Sequence, residues 1–196
     1  FKDSEADLAN YCIDRISWFN TFLKPVIGKH DIYAVSSDKI AEFGMHGISN
    51  IIKNKYEGQI DTGKMMIALL SKVQGLGVAV FNNCRVQKIE KDTGNKNIIT
   101  NQGTFNAKSV ILATNAFIKD LIPELDVIPG RGQVLITEPI KQLKIKGTFH
   151  YNKGYIYFRN IDERILLGGG HNLDFKGEET IEPGITAIIQ EELQKL

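Results

Sequence analysis

Apolar positions recur at helical spacing in three stretches of the chain. Leu8, Cys12, Ile16, Phe19 and Leu23 form a stripe that predicts a first helix. Ser4-x-x-Asp7 reads as its capping box, and Pro25, which has no amide hydrogen, is expected to stop it. Met65, Met66, Leu69, Leu70 and Val73 predict the inner face of a second helix, capped by Asp61 or Thr62 and closed near Gly75 and Gly77. Ile185, Ile188, Ile189 and Leu193 predict a third, entered from Pro183-Gly184. Shorter helices are expected over 37–43 and 116–121.

Between these stretches the period shortens. Residues 48–52 and 56–60 are expected to pair as strands. Three short apolar runs, 78–81, 84–89 and 97–100, precede a brief strand at 104–107, with turns at Asp92-Thr93-Gly94-Asn95 and Gln102-Gly103. The unbroken apolar run 109–113 predicts a strand covered on both faces, as in a parallel sheet. The texture then becomes antiparallel: 133–137, 147–151, 155–159 and 164–167 are each bounded by Gly, Asn, Asp or Pro. Asn152-Lys153-Gly154 and residues 160–163 read as hairpin turns. The pattern describes two partial domains, one α/β and one built on an antiparallel sheet.

Composition narrows the function. The 196 residues carry 24 Lys and Arg against 23 Asp and Glu, a net charge of +1, with 42% hydrophobic residues. That balance excludes intrinsic disorder and a broad basic surface for nucleic acid. The longest purely apolar stretch, 65–70, is far short of the roughly 18 residues that span a membrane. Cys12 and Cys84 match no metal or redox spacing, which predicts a reducing, cytoplasmic setting. His30, His46 and His150 have no partner spacing that suggests a metal. No Gly-x-Ser-x-Gly elbow points to a hydrolase. Neither end has the marks of a natural terminus, so the chain is expected to be an internal piece of a longer protein.

The order of motifs carries a resemblance. Glu57-Gly58-Gln59-Ile60-Asp61-Thr62-Gly63-Lys64, the helix after it, Gly77-Val78 and Cys84-Arg85-Val86-Gln87-Lys88-Ile89-Glu90 come first. Val110-Ile111-Leu112-Ala113-Thr114-Asn115-Ala116-Phe117 and Pro129-Gly130-Arg131-Gly132-Gln133 come next. Tyr157-Phe158-Arg159, Asp162 and Arg164-Ile165-Leu166-Leu167-Gly168-Gly169-Gly170 complete the series. In this order, over about 57–171, the chain resembles the D-amino-acid oxidase family of flavoproteins, which includes glycine and sarcosine oxidases. The last group resembles the gamma-glutamylputrescine oxidoreductase branch.

The resemblance implies a mixed α/β and α+β fold: part of a Rossmann-like FAD-binding domain plus an antiparallel-sheet substrate domain. Residues 1–55 would be a helical and linker part of the substrate domain, 56–125 the partial FAD-binding domain and 126–196 the antiparallel-sheet part. It implies FAD as cofactor and hydride transfer from a carbon bearing an amine, in a small amine or amino-acid substrate. Val86, Ala113, Thr114 and Asn115 fall at cofactor-binding positions; Asn115 replaces the usual Gly and can keep the turn by adopting a left-handed conformation. Tyr155, His171 and Arg159 fall at catalytic or substrate positions. Arg131 would shape a loop near the flavin or face water. Arg131, Arg159 and Arg164 together suggest an acidic substrate.

One expected element is missing. The Gly-x-Gly-x-x-Gly turn that grips a dinucleotide pyrophosphate is absent, since Gly75-Leu76-Gly77 ends a helix and Gly168-Gly169-Gly170 follows an antiparallel strand as a close-approach or turn element. That absence keeps open a flavin-free binding or scaffold module of the same shape, alongside a relative that oxidises 2-hydroxy acids. A tRNA-modifying flavoprotein is disfavoured by the neutral charge. Exposed strand edges and apolar faces predict either a partner chain, which a homo-oligomer would supply, or marginal solubility.

Overall fold

A computed structural model describes residues 1–91 and 93–196; Asp92, placed in a predicted turn, lies outside the described residues. In chain order the elements are α1 (Ala6–Ile27), β1 (Tyr33–Val35), α2 (Ile40–Phe43), β2 (Ile52–Asn54), α3 (Thr62–Gly75), β3 (Val86–Lys91), β4 (Lys96–Thr100), β5 (Gly103–Ala107), β6 (Val134–Ile136), β7 (Thr148–Tyr151), β8 (Ile156–Ile161), β9 (Arg164–Gly169) and α4 (Ala187–Gln194). A short 3-10 helix, Asn115–Asp120, follows the run 109–113. The sheets pair antiparallel throughout. The mixture of helices and antiparallel sheets agrees with the expected fold class.

The chain forms two compact units: Phe1–Gln59 with Gly132–Asp174 and Gly184–Leu196, and Ile60–Arg131 with Phe175–Pro183. The first holds a four-stranded sheet in the order β6-β9-β8-β7. Leu135, Leu167, Phe158 and Phe149 are cross-strand partners along one face, and Ile156 pairs with Tyr151 on that same face. Ile156 and Leu167 pack with Ile189 and Leu193 of α4, while Leu135, Tyr151 and Phe158 border the cluster. Burying each such side chain contributes about 1.5–3 kcal/mol, which makes this layer the main hydrophobic support of the unit. Buried Gln133 secures the entry to α4: its Oε1 accepts from the Thr186 amide at 2.9 Å and its Nε2 donates to Thr186 Oγ1 at 2.8 Å. Of the predicted apolar stripe, Ile189 and Leu193 are buried, whereas Ile185 and Ile188 are exposed.

The helix α1 departs from expectation at both ends. It runs through Pro25 and stops at Gly28, whose φ of 72° gives a left-handed cap. Pro25 sits in the last turn, where only Val26 and Ile27 follow it in the helix. At the start, the Glu5 carboxylate accepts from the Lys2 amide at 2.9 Å, in place of the Ser4 box. The expected pairing of 48–52 with 56–60 does not form; β2 pairs with β1 instead. That pairing is closed by Lys55, whose ammonium lies 2.5 Å from Asp31, and by the Tyr56 hydroxyl, which donates to the same carboxylate.

The second unit contains α3, the meander β3-β4-β5 and the returning segment Phe175–Pro183. Asp61 caps α3 as expected, accepting from the Lys64 amide at 2.9 Å. The stripe predicted as the inner face is largely open: Met66, Leu69 and Leu70 are exposed. Neither 78–81 nor 109–113 joins a ladder, and Ile111 is 90% exposed. A parallel strand depends on a neighbour contributed from elsewhere in the sequence. Among the described residues no strand pairs with either run, so an apolar sequence alone leaves them outside any sheet.

Candidate functional site

In the second unit, β3 and the turn after 109–113 frame a cleft of about 500 Å³. Cys84, Val86, Thr114, Phe117, Leu121 and Ile181 line it with Arg85 and Asp120. The Arg85 guanidinium lies 3.1 Å from the Asp120 carboxylate. Asn101 steadies this end of β3 through its Oδ1, which accepts from the Arg85 amide at 2.8 Å. A register shift between Val86 and Lys88 places a bulge beside the cleft, a device that re-aims a strand where it borders a site.

Two of the four predicted cofactor residues, Val86 and Thr114, line this one cleft. Asn115 takes φ of 48°, the left-handed conformation predicted for it, and opens the 3-10 turn closed by the Phe117 amide donating to the Thr114 carbonyl at 3.0 Å. Ala113 lies exposed just before it and does not line the cleft. Among the described residues, Thr114 Oγ1 is buried without a hydrogen-bond partner. Buried hydroxyls seldom stay unpaired, because desolvation without a partner costs about 1–3 kcal/mol. An apolar cleft with one unsatisfied hydroxyl fits a flat, polar-edged group such as the nucleotide end of FAD.

The predicted catalytic residues lie in the first unit. The Tyr155 and His171 rings meet edge to face with centroids 5.7 Å apart, half-buried and exposed respectively. The glycine run produces this encounter, each glycine in its own way. A Cβ at Gly168 would sit 2.7 Å from the Tyr157 ring. At Gly169 (φ 110°) it would lie only 1.9 Å from the Tyr155 carbonyl oxygen. Gly170 (φ 80°) donates its amide to that same carbonyl at 2.8 Å and starts the turn bearing His171. Neighbouring Asn172 keeps a buried Oδ1 that has no partner among the described residues.

Arg159, half-buried, stands opposite Thr148 and Leu166 in the register. Alternation along β8 puts it on the face away from α4, with Tyr157. Arg164 donates to the Thr137 carbonyl at 2.7 Å and Arg131 belongs to the other unit, so the three arginines do not form a common set within one unit.

Sequence reasoning missed Glu178. It is 2% exposed and takes both ends of the Arg131 fork, at 2.7 and 3.0 Å. Its surroundings, a polar stretch without periodicity, give no sign of burial. The signal available was Arg131 itself, a lone cation between two glycines.

Comparison with known proteins bears on the family and the fold. The profile of DAO, the FAD dependent oxidoreductase family, matches residues 34–196. The bifunctional protein ThiO/ThiG of Synechocystis is 38% identical over 80 residues, 40% of this chain and 12% of its own length. A glycerol 3-phosphate dehydrogenase of Caloramator mitchellensis is 25% identical over 179 residues, covering 83% of this chain and 37% of that protein. An N-methyl-L-tryptophan oxidase of Yersinia pestis is 32% identical over 63 residues, 32% of this chain and 17% of that one. The chain therefore spans well under half the length of these relatives. In fold it is similar to glycine oxidase from Geobacillus kaustophilus, with a TM-score of 0.67 and 15% identity over 93% of this chain and 49% of that one. NikD, an unusual amino acid oxidase, superposes with a TM-score of 0.51 at 18% identity over 79% of this chain and 44% of its own. The ordered motifs, the fold and the profile match over most of the chain lead to one conclusion: the protein belongs to the DAO family of FAD-dependent oxidoreductases.

Proposed function

We propose that the chain is part of an enzyme that oxidises the C–N bond of a small amine or amino acid, with FAD as the acceptor of hydride. The observation that carries this reading is the cleft shared by Val86 and Thr114, with its unpartnered buried hydroxyl beside left-handed Asn115. When bound, FAD supplies the electron chemistry, and the protein supplies binding and orientation. Val86 offers extended backbone and an apolar side chain to the adenine. Thr114 Oγ1 offers one hydrogen bond, and Ala113 with Asn115 gives the chain room to approach the cofactor.

In the substrate unit, Tyr155 provides an aromatic wall with a hydroxyl tip, as an amine-oxidising pocket requires. The His171 imidazole, edge to face with Tyr155 at 5.7 Å, would hold a proton released as an ammonium substrate becomes the neutral amine. Arg159 would take a substrate carboxylate through its two-pronged guanidinium. We place the protein in the cytoplasm, where its two free thiols would stay reduced. No helix among the described residues is long and apolar enough to cross a membrane.

A second reading, oxidation of a C–O bond in a hydroxy acid or glycerol phosphate, is favoured by the breadth of the match to the glycerol 3-phosphate dehydrogenase. A visible absorption spectrum separates the possibilities, taken on the longest protein product that carries this chain. Flavin absorbance that bleaches without oxygen on adding amines or amino acids supports the first reading. Bleaching by glycerol 3-phosphate or 2-hydroxy acids alone supports the second. A protein that stays colourless in excess FAD overturns both and leaves a flavin-free module.

A further inference from the structure

We propose that Glu178 is a positioning residue of the cleft: by gripping Arg131 it holds Ile181 in the cleft wall and so sets how tightly the adenine end of FAD is bound. The inference rests on the reading that this cleft receives FAD. Ile181 reaches the cleft from Phe175–Pro183, a segment with no helix or strand of its own. Such a segment has no ladder to fix it and depends on side-chain anchors. Four of its hydrogen bonds converge on Arg131. The Arg131 amide donates to the Glu178 carbonyl at 2.8 Å, Nε and Nη2 donate to the Glu178 carboxylate, and Nη1 donates to the Glu182 carbonyl at 3.3 Å.

The anchor defines orientation as well as distance. Its bidentate geometry fixes the plane of the carboxylate, and side-chain exposures of 3% for Glu178 and 16% for Arg131 keep water from competing. Bonds on either side of Ile181, to Glu178 and Glu182, set where its side chain stands. Within the segment, the Thr180 amide donates to the Glu178 carbonyl at 2.9 Å and Thr180 Oγ1 accepts from the Glu182 amide at 3.0 Å, which stiffens the intervening turn. A buried ion pair is a poor source of net stability, because desolvation offsets its attraction; its best-attested use is to specify one arrangement. Here the arrangement specified is an apolar wall of the cleft.

Cys84, which lines the same cleft, reports on that wall, and Cys12 in α1 is an internal reference. Alkylation by N-ethylmaleimide would be followed at both thiols in the wild type, Glu178→Gln, Arg131→Lys and Glu179→Gln, the last altering an exposed pair with Lys176. FAD affinity would be measured on the same proteins by flavin fluorescence. The proposal expects FAD to protect Cys84 in the wild type. Glu178→Gln should speed Cys84 labelling, leave Cys12 unchanged, and weaken FAD binding by roughly tenfold, the order expected from losing one apolar wall. Arg131→Lys, which keeps the charge, should fall between the two, and Glu179→Gln should match the wild type.

The dependence on urea separates positioning from mere support. A local opening exposes little surface, so labelling should stay flat at low urea, whereas labelling through unfolding of the unit should climb steeply. A steep climb in Glu178→Gln, or labelling and FAD affinity equal to wild type, overturns the proposal. Failure of FAD to protect Cys84 in the wild type overturns the cleft reading beneath it, whatever the variants show.

Discussion

The sheet β6-β9-β8-β7 and the run 109–113 have similar apolar sequences and opposite fates. In the sheet, β7 folds back into β8 through residues 152–155 and β8 into β9 through Asp162 and Glu163, and β6 then joins the edge of this local hairpin pair by pairing with β9. The run 109–113 is as apolar as β9, yet it pairs with nothing among the described residues and leaves Ile111 exposed. Hydrophobicity selects which residues can be buried. Pairing in the local sequence decides which of them are buried by this chain. An antiparallel sheet brings its partners with it, whereas a parallel one has to recruit them.

The sharpest way to break the sheet half of this contrast is Gly169→Ala. The added carbon would meet a backbone oxygen at 1.9 Å in a conformation with φ of 110°. Overpacking and backbone strain together should cost more than about 4 kcal/mol, read as a fall in the denaturant midpoint of the sheet unit. Gly154→Ala is the control: its φ of 88° is also positive, but its Cβ would meet open space, so only the strain of about 1–2 kcal/mol should appear. Equal effects for the two would mean that Tyr155 is not seated on the glycine run.

Next in size, Leu193→Ala removes a side chain that is 1% exposed and should cost about 3 kcal/mol. Ile111→Lys, at 90% exposure, should change stability by less than about 0.5 kcal/mol. A large loss from Ile111→Lys in thermal melts would show that 109–113 is covered in solution and would erase the contrast. Amide hydrogen exchange should follow the same division, with β8 and β9 protected and 109–113 exchanging rapidly.

The smallest effect concerns α3, the helix with the open stripe. The Lys64 amide donating to Asp61 holds this carboxyl below its ordinary range. The folded form therefore binds its proton less readily than the unfolded form. The cap's contribution is complete above the ordinary carboxylate range and is lost as pH falls through the depressed folded value. Helical circular dichroism should decline slightly on acidification, and Asp61→Asn should remove that dependence. An unchanged acid transition in the variant would show that other carboxyls govern it.

The sequence was most informative where structure is local. The hairpins, the Asp61 cap and the left-handed turn at Asn115 each follow from residues a few positions apart. Gly168-Gly169-Gly170 was legible as a close-approach element because only glycine admits a neighbouring backbone so closely. Val86 and Thr114, 28 positions apart by their numbers, were joined by the order of motifs, and they line one cleft. What could not be read depends on distant partners. The burial of Glu178 is set by Arg131 and the exposure of the α3 stripe by which elements face it, while α1 runs through Pro25 because its left-handed stop comes only at Gly28, two residues after the last-turn Val26.

The passage of the chain between its two units also bears on how such a protein can change by recombination. It leaves one unit after Arg131, returns for Phe175–Pro183 and leaves again. Neither unit is therefore an uninterrupted stretch of gene. A single crossover between relatives anywhere from 132 to 177 would inherit Arg131 from one parent and Glu178 from the other. Such hybrids would preserve the register of every hairpin outside the junction and still mismatch the buried pair, so viable exchanges should favour paired junctions that carry both residues together.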